Sequence, residues 1–441
     1  MNIVYIGAGA AGRYCGACLH DNTLAAALLK AGQVVLLVPT YTPLRTDEEN
    51  VSQSRVFFGG VNVFLQQKSS LFRHTPWFLD KLLDSPALLN WLSRRASGME
   101  AKQLGDLTVS TLQGEAGKQR KELEKLVHWL QRDVRPDVVH LSNVMLCGMA
   151  REMKRRLNVP IVCSLSGEDI FLEQLTEPYY AQARQLLRER AVDIDVFVAL
   201  NGYFADFMAD YLSVARSRIE VIPHGLKLDG HTLRQRPADA KEFTIGYFAR
   251  IAAEKGLHVL VEAFGLLHQE RESLPPLKLK VAGYMSSGDR HYFEMIERRV
   301  RELGLSEQFE FVGEVDRAGK IAFLQSLDVM SVPTVYHESK GISVLEALAN
   351  GVPVVLPAHG TFPELIADTQ GGVLHEPENP AALAAALQAL ILDPAQAERL
   401  GRQGHRAIHE RYRADEMARR TLELYQRLLA SKNQTESIAR R

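Results

Sequence analysis

Short apolar runs rich in β-branched residues alternate with longer stretches of helical periodicity along almost the whole 441-residue chain. In the first half the runs fall at 3–6, 34–38, 56–65, 138–141, 161–165, 196–200 and 219–222. Most are continuously hydrophobic, which is the pattern of parallel strands covered on both faces. Stretches such as 23–31 and 115–131 carry helical spacing between them. That rhythm predicts an α/β, doubly wound sheet. A second series runs through 243–248, 277–282, 309–312, 329–332, 354–356 and 372–374. From Pro380 onward the pattern is helical, and 414–430 has the spacing of an amphipathic helix before a polar tail.

Between the two series, 227–241 (KLDGHTLRQRPADAK) is polar, carries Gly and Pro, and lacks apolar periodicity. It reads as a linker. The predicted layout is therefore an N-terminal Rossmann-like domain over 1–226, a linker over 227–241, and a C-terminal Rossmann-like domain over 242–412. A helix and tail over 413–441 are expected to return to the N-terminal domain. Two such domains are expected to face each other across a cleft, because open α/β sheets take ligands at the carboxyl ends of their strands.

Composition narrows the function. With 52 Lys+Arg against 53 Asp+Glu the formal net charge is -1, so no basic excess points to nucleic acid. No segment reaches the ~20 uninterrupted apolar residues that cross a bilayer. The N-terminus lacks the charged and apolar regions of a signal peptide, so a cytoplasmic location is expected. Cys15, Cys18, Cys147 and Cys163 are sparse enough to stay thiols in a reducing compartment. Cys15 and Cys18 form C-x-x-C with no second such pair, which excludes a zinc ribbon and leaves buried or loop thiols, or a redox or metal function with Cys147 and Cys163.

The densest chemistry lies in HESKGISVLEALANGVPVVLP, residues 337–357. Glu338 precedes a predicted helix and Glu346 lies in its early turns, with Gly341 between them. The helix start offers the backbone N–H groups of Gly341, Ile342 and Ser343, a natural cradle for a diphosphate. The flanking carboxylates repel phosphate and suit hydroxyls instead, although two acids at a helix start also fit ordinary capping and macrodipole chemistry. Upstream, Arg250 follows a strand end and Lys255 precedes the next helix. Two cations there would stabilise a leaving diphosphate, or are simply solvated.

These segments resemble the retaining glycosyltransferases of family 4, the group 1, glycogen-synthase-like enzymes of the two-Rossmann-domain (GT-B) fold. The resemblance rests on G-Y-F-A-R-I…E-K-G (246–256), V-A-G (281–283), F-V-G (311–313) and the Glu-x7-Glu segment running into E-A-L-A-N-G-V-P-V-V (346–355). It covers 240–410 firmly and the N-terminal half loosely. It implies transfer of a sugar from a nucleotide-sugar donor to a hydroxyl acceptor (a glycan, a lipid-linked molecule or a small molecule), by front-side attack and with neither metal nor cofactor. In that scheme Arg250 and Lys255 bind the diphosphate, Glu338 the transferred sugar and Glu346 the ribose. The 341–343 backbone meets the distal phosphate. A UDP-sugar is the default donor. Lys340 departs from the pattern, standing where the family usually has an apolar or aromatic residue.

The loop G-A-G-A-A-G (7–12) matches the dinucleotide fingerprint after a strand. It would make the chain an NAD(P)-dependent oxidoreductase, yet the next strand ends on Pro39 and Thr40 with no acid to take a ribose. By the resemblance, Gly9 and Gly12 instead lie beneath the donor phosphates and acceptor; Arg13 and Tyr14 in the same loop are candidate acceptor contacts. A non-catalytic nucleotide-sugar-binding protein is a further alternative, as is a nucleotide-sugar epimerase or a glycogen-phosphorylase-like enzyme of the same fold. His140 and Glu168, at strand ends, are acceptor candidates; Ser166 or Asp169 could equally make that loop a helix cap. His224 is expected to be structural. The segment 71–98, with Trp77 and Trp91, reads either as core packing or as a peripheral contact with the inner membrane face.

Overall fold

A computed structural model describes residues 1–9, 16–53, 57–58, 101–236 and 241–439. The Val56–Leu65 run therefore lies outside it, except for Phe57 and Phe58, which form a bend rather than a strand. The 71–98 segment, Gly12, Arg13, Tyr14 and Cys15 also lie outside. Among the described residues, no helix is long and apolar enough to cross a membrane.

Two compact units form, Met1–Gly225 with Ala414–Arg441, and Leu226–Arg413. The first holds a six-stranded parallel sheet of β1 (Asn2–Gly7), β2 (Val34–Pro39), β3 (Val138–Leu141), β4 (Ile161–Ser164), β5 (Val196–Ala199) and β6 (Ile219–Val221), in the order β2-β1-β3-β4-β5-β6. The first helix, α1 (Gly16–Lys30), and the C-terminal helix Ala414–Ala439 pack on one face of it. Met417, Leu424 and Tyr425 of the C-terminal helix complete a core with Ile3, Tyr5, Leu24 and Leu37.

The second unit repeats the design with β7 (Phe243–Phe248), β8 (Leu277–Ala282), β9 (Phe309–Gly313), β10 (Val329–Ser331), β11 (Val354–Pro357) and β12 (Gly372–His375). Its order is β12-β11-β10-β7-β8-β9, so chain direction across the sheet reverses between β7 and β10. Gly246 on β7 makes room for this neighbourhood, because a Cβ there would lie 2.1 Å from the Leu327 side chain. Ligands of open α/β sheets bind outside the carboxyl ends of the strands at such a reversal.

The linker reading does not hold for the described part of 227–241. Leu226 donates to the Tyr412 carbonyl, Arg234 donates from its backbone to Asn350, and the Arg234 guanidinium reaches Asp328 at 3.0 Å. Asp328 also accepts from Thr244 at the start of β7. His231 is buried. The polar side chains that suggest a solvated connector are spent on these internal partners, so residues 227–236 strap the second unit instead of leaving it.

Candidate active site

Both loops at the β7/β10 reversal are drawn together by one glycine. After β7 the chain passes Arg250 and a short 3-10 turn, Ala253–Lys255, before α2 (Leu257–Gln269). Gly256 has φ 74°, and a Cβ there would lie 1.8 Å from the Pro333 carbonyl oxygen in the loop after β10. Only a residue without a side chain permits that approach in this backbone conformation.

Lys255 is thereby delivered to Glu338. The Lys255 Nζ sits 2.6 Å from Glu338 Oε2 and also donates to the Tyr336 hydroxyl. Tyr336 in turn donates to Glu338 Oε2 at 2.6 Å. The other carboxylate oxygen, Oε1, accepts the backbone N–H of Ser339 and of Lys340, each at 3.1 Å. Burial alone would push the Glu338 pKa up, but the Lys255 ammonium and these donors overcome it and hold the carboxyl at about 2. Burial, followed by the Glu338 charge, raises the Tyr336 phenol well above its ordinary value. The first cluster is thus a buried, ionised and oriented carboxylate.

A loop after β11 supports it from behind. Thr361 donates to the Glu338 carbonyl, and a Cβ on Gly360 would lie 2.7 Å from both Glu338 N and O. His359 stacks on His337 and bonds the Thr334 carbonyl.

Gly341, at φ 66°, opens the helix Ile342–Ala349 without a side-chain cap. The N–H groups at that start face no capping oxygen, which suits an anion. Ile342 and Ser343 are half-buried there. Arg250 is exposed and pairs with Glu254, with Asp289 at 4.0 Å. Glu346, one turn into the helix, is buried with Lys320 Nζ at 2.5 Å from Oε1. The Lys340 ammonium, half-buried, makes no hydrogen bond or ion pair among the described residues. The structure therefore joins Lys255 to Glu338 just ahead of the helix start at Gly341, places Glu346 on that helix in a separate buried pair with Lys320, and sets Arg250 on the same strand-end loop as Lys255.

In the first unit, Gly9 has φ 75°, and a Cβ would collide with the Thr42 carbonyl at 2.3 Å. His140 requires a correction. It is 1% exposed, and its two ring nitrogens are taken by the Tyr425 hydroxyl at 2.6 Å and Ser164 Oγ at 2.8 Å. It is a core residue that ties the C-terminal helix to the sheet, and it offers no nitrogen to an acceptor. The Glu168 carboxylate accepts the backbone N–H and the hydroxyl of Ser166 within its own loop, while Glu168, at the N-cap of the short helix Asp169–Leu172, makes no side-chain cap bond. His224 is buried and meets His20 Nδ1 to Nδ1 at 2.9 Å. Cys18, Cys147 and Cys163 are buried, and burial pushes the Cys147 thiol up to about 12.

Comparison with known proteins matches residues 231–407 to the family model described as glycosyl transferases group 1, and residues 110–229 to that of glycosyltransferase family 4. The chain belongs to the group 1, family 4 glycosyltransferases. The glycogen synthase of Mycobacterium tuberculosis is 25% identical to it over 300 residues, covering 67% of this chain and 69% of that one. A D-inositol 3-phosphate glycosyltransferase of Mycolicibacterium smegmatis is 31% identical over 246 residues, 54% and 56% of the two chains. Among solved structures, a sucrose-phosphate synthase from Thermosynechococcus elongatus superposes with a TM-score of 0.72 at 19% identity, covering 97% of this chain and 99% of the other. HepE of Anabaena in complex with UDP follows at 0.66 and 17%, covering 97% and 100%. At these identities the structural matches establish the GT-B fold of the glycosyltransferase.

Two polar residues of the glycosyltransferase escape sequence reading. Tyr336 looks like an ordinary loop aromatic, and Lys320 like a solvated helix residue. A usable signal exists for Lys320, which shares the apolar face of the helix Arg317–Gln325 with Phe323 and Leu324.

Proposed function

We propose that this glycosyltransferase moves a sugar from a nucleoside-diphosphate sugar to a hydroxyl acceptor, with retention of configuration and without a divalent metal. The observation that carries the reading is the ionised Glu338, fixed by Lys255 beside the uncapped helix start at Gly341. A carboxylate so held accepts hydrogen bonds from sugar hydroxyls. The N–H groups at the helix start donate to the distal phosphate, and Glu346 takes the ribose diol. Arg250, exposed and paired with the half-buried Glu254, can exchange that partner for a diphosphate oxygen. As the C1–oxygen bond breaks, its electron pair goes to the diphosphate, where Arg250 and Lys255 meet the growing charge. The acceptor oxygen attacks C1 from the same face and passes its proton to a phosphate oxygen. Uridine is the favoured base, since the similarly folded HepE is described in complexes with UDP and with UDP-glucose.

The test is calorimetric titration of UDP, GDP, ADP and NAD(H) in EDTA, with turnover measured on whichever sugar derivative binds. Arg250→Ala should lower kcat by about a hundredfold or more, with a smaller loss of binding. Near-normal turnover of that variant, or loss of activity in EDTA, would refute the assignment. Binding of NAD(H) alone would favour the oxidoreductase alternative.

A further inference from the structure

The buried pair Lys320–Glu346 has no evident structural reason. Lys320 is 4% exposed and Glu346 also 4%, and the ammonium lies 2.5 Å from Oε1. Lys320 sits on the inward face of the helix Arg317–Gln325, where Phe323 and Leu324 show that an apolar residue would pack. Glu346 is likewise surrounded on its helix by buried Val344, Leu345, Ala347 and Leu348. Taking two charges out of water is expensive, and an apolar pair of similar volume is often as stable or more so. A fold under pressure for stability alone has little use for this pair. The Glu346 helix is also held firmly in place. Asn350 Nδ2 donates to the Glu346 carbonyl at 2.8 Å and lies at 2.8 Å from His231 Nδ1, so the strap at 227–236 braces the helix end.

We infer that Lys320 is a positioning residue that orients the Glu346 carboxylate toward the 2′- and 3′-hydroxyls of the donor ribose, making the site selective for ribonucleotides over 2′-deoxyribonucleotides. The inference rests on the proposed function. An ammonium on one carboxylate oxygen fixes the plane of the group and keeps it a pure acceptor. A ribose diol presents two O–H donors to such an acceptor, and a 2′-deoxyribose presents one. Hydrogen bonds to a charged group in a dry setting are the strong ones, so the missing hydroxyl costs most when the carboxylate cannot turn away. With Lys320 removed, Glu346 would reorient or take up a proton, and the loss would fall on the ribose contact alone.

The experiment titrates UDP, ADP and GDP against the full chain, each beside its 2′-deoxy form, for wild type, Lys320→Met and Lys320→Arg. Wild type should prefer the ribo form of its nucleotide by about tenfold or more. Lys320→Met should lose most of that ratio by weakening the ribo form much more than the deoxy form, which has only its 3′-hydroxyl contact to lose, and Lys320→Arg should restore part of it. A purely structural lysine would weaken both forms alike, and that result overturns the inference. So does a wild type that binds both forms equally. If Lys320→Met does not fold, the charge-free pair Lys320→Met with Glu346→Gln takes its place. It should fold and show no preference, and a wild-type ratio in it overturns the proposal. A wild type that binds no nucleoside diphosphate at all refutes the proposed function itself and this inference with it.

Discussion

Glu338 illustrates how a single side chain acquires its properties. Burial would leave a carboxyl protonated well above its ordinary 4.5, yet Lys255, Tyr336 and two backbone N–H groups hold it at about 2. Because the folded pKa lies below the unfolded one, this interaction stabilises the protein fully above pH 4.5. Its contribution, on the order of 3 kcal/mol, is lost as pH falls toward 2. Glu338→Gln should therefore melt below wild type at pH 7, with the gap closing between pH 4.5 and 2. Calorimetric melts across that range check it, and a gap independent of pH would mean the ion pair is not the source. Of the residues that make this site, Glu338 and Lys255 were readable from their places before a helix and after a strand. Tyr336 was not, because a loop tyrosine carries no periodicity and its partners are known only once the loop is folded.

Elements place these residues through their ends. Parallel strands advertise themselves as continuous apolar runs, and the turn after β7 announces itself by Gly256. The reason that glycine is needed lies elsewhere in the chain, in the Pro333 carbonyl that follows β10. Gly256→Ala should destabilise the protein by about 2 kcal/mol or more, since backbone strain and a clash add together. Gly304→Ala is the control: its φ is 71°, yet nothing lies within 4 Å of the new Cβ. It should cost only the strain, about 1 kcal/mol. Urea unfolding of the two variants compares them directly, and equal losses would show that the close approach to Pro333 has no weight. The strap at 227–236 marks where element reading fails. Its polar residues follow the rule for linkers, while Arg234 and Asp328, far apart in sequence, pair within the unit.

On the scale of the whole chain, the last helix belongs to the first unit. Tyr425 is 0% exposed and reaches His140 from 285 positions away. Burial, followed by the charge of His20, lowers the His140 pKa to about 3. Tyr425→Phe leaves a buried ring nitrogen without its partner and should cost about 1–3 kcal/mol. The loss should appear in urea unfolding of the first unit, with nucleoside diphosphate binding by the second unchanged. A variant as stable as wild type would mean that this bond does not fasten the helix. The sequence by itself determined the two series of parallel strands and the strand-end and helix-start positions of Arg250, Lys255, Glu338 and Glu346. Those features arise from neighbours along the chain, and local periodicity records them. Only the tertiary structure decided which polar groups meet: Lys255 with Glu338, Lys320 with Glu346, and His140 with Tyr425 rather than with an acceptor. Each of those meetings depends on how distant segments close on one another, and a buried charge or imidazole is settled by the partner it finds there.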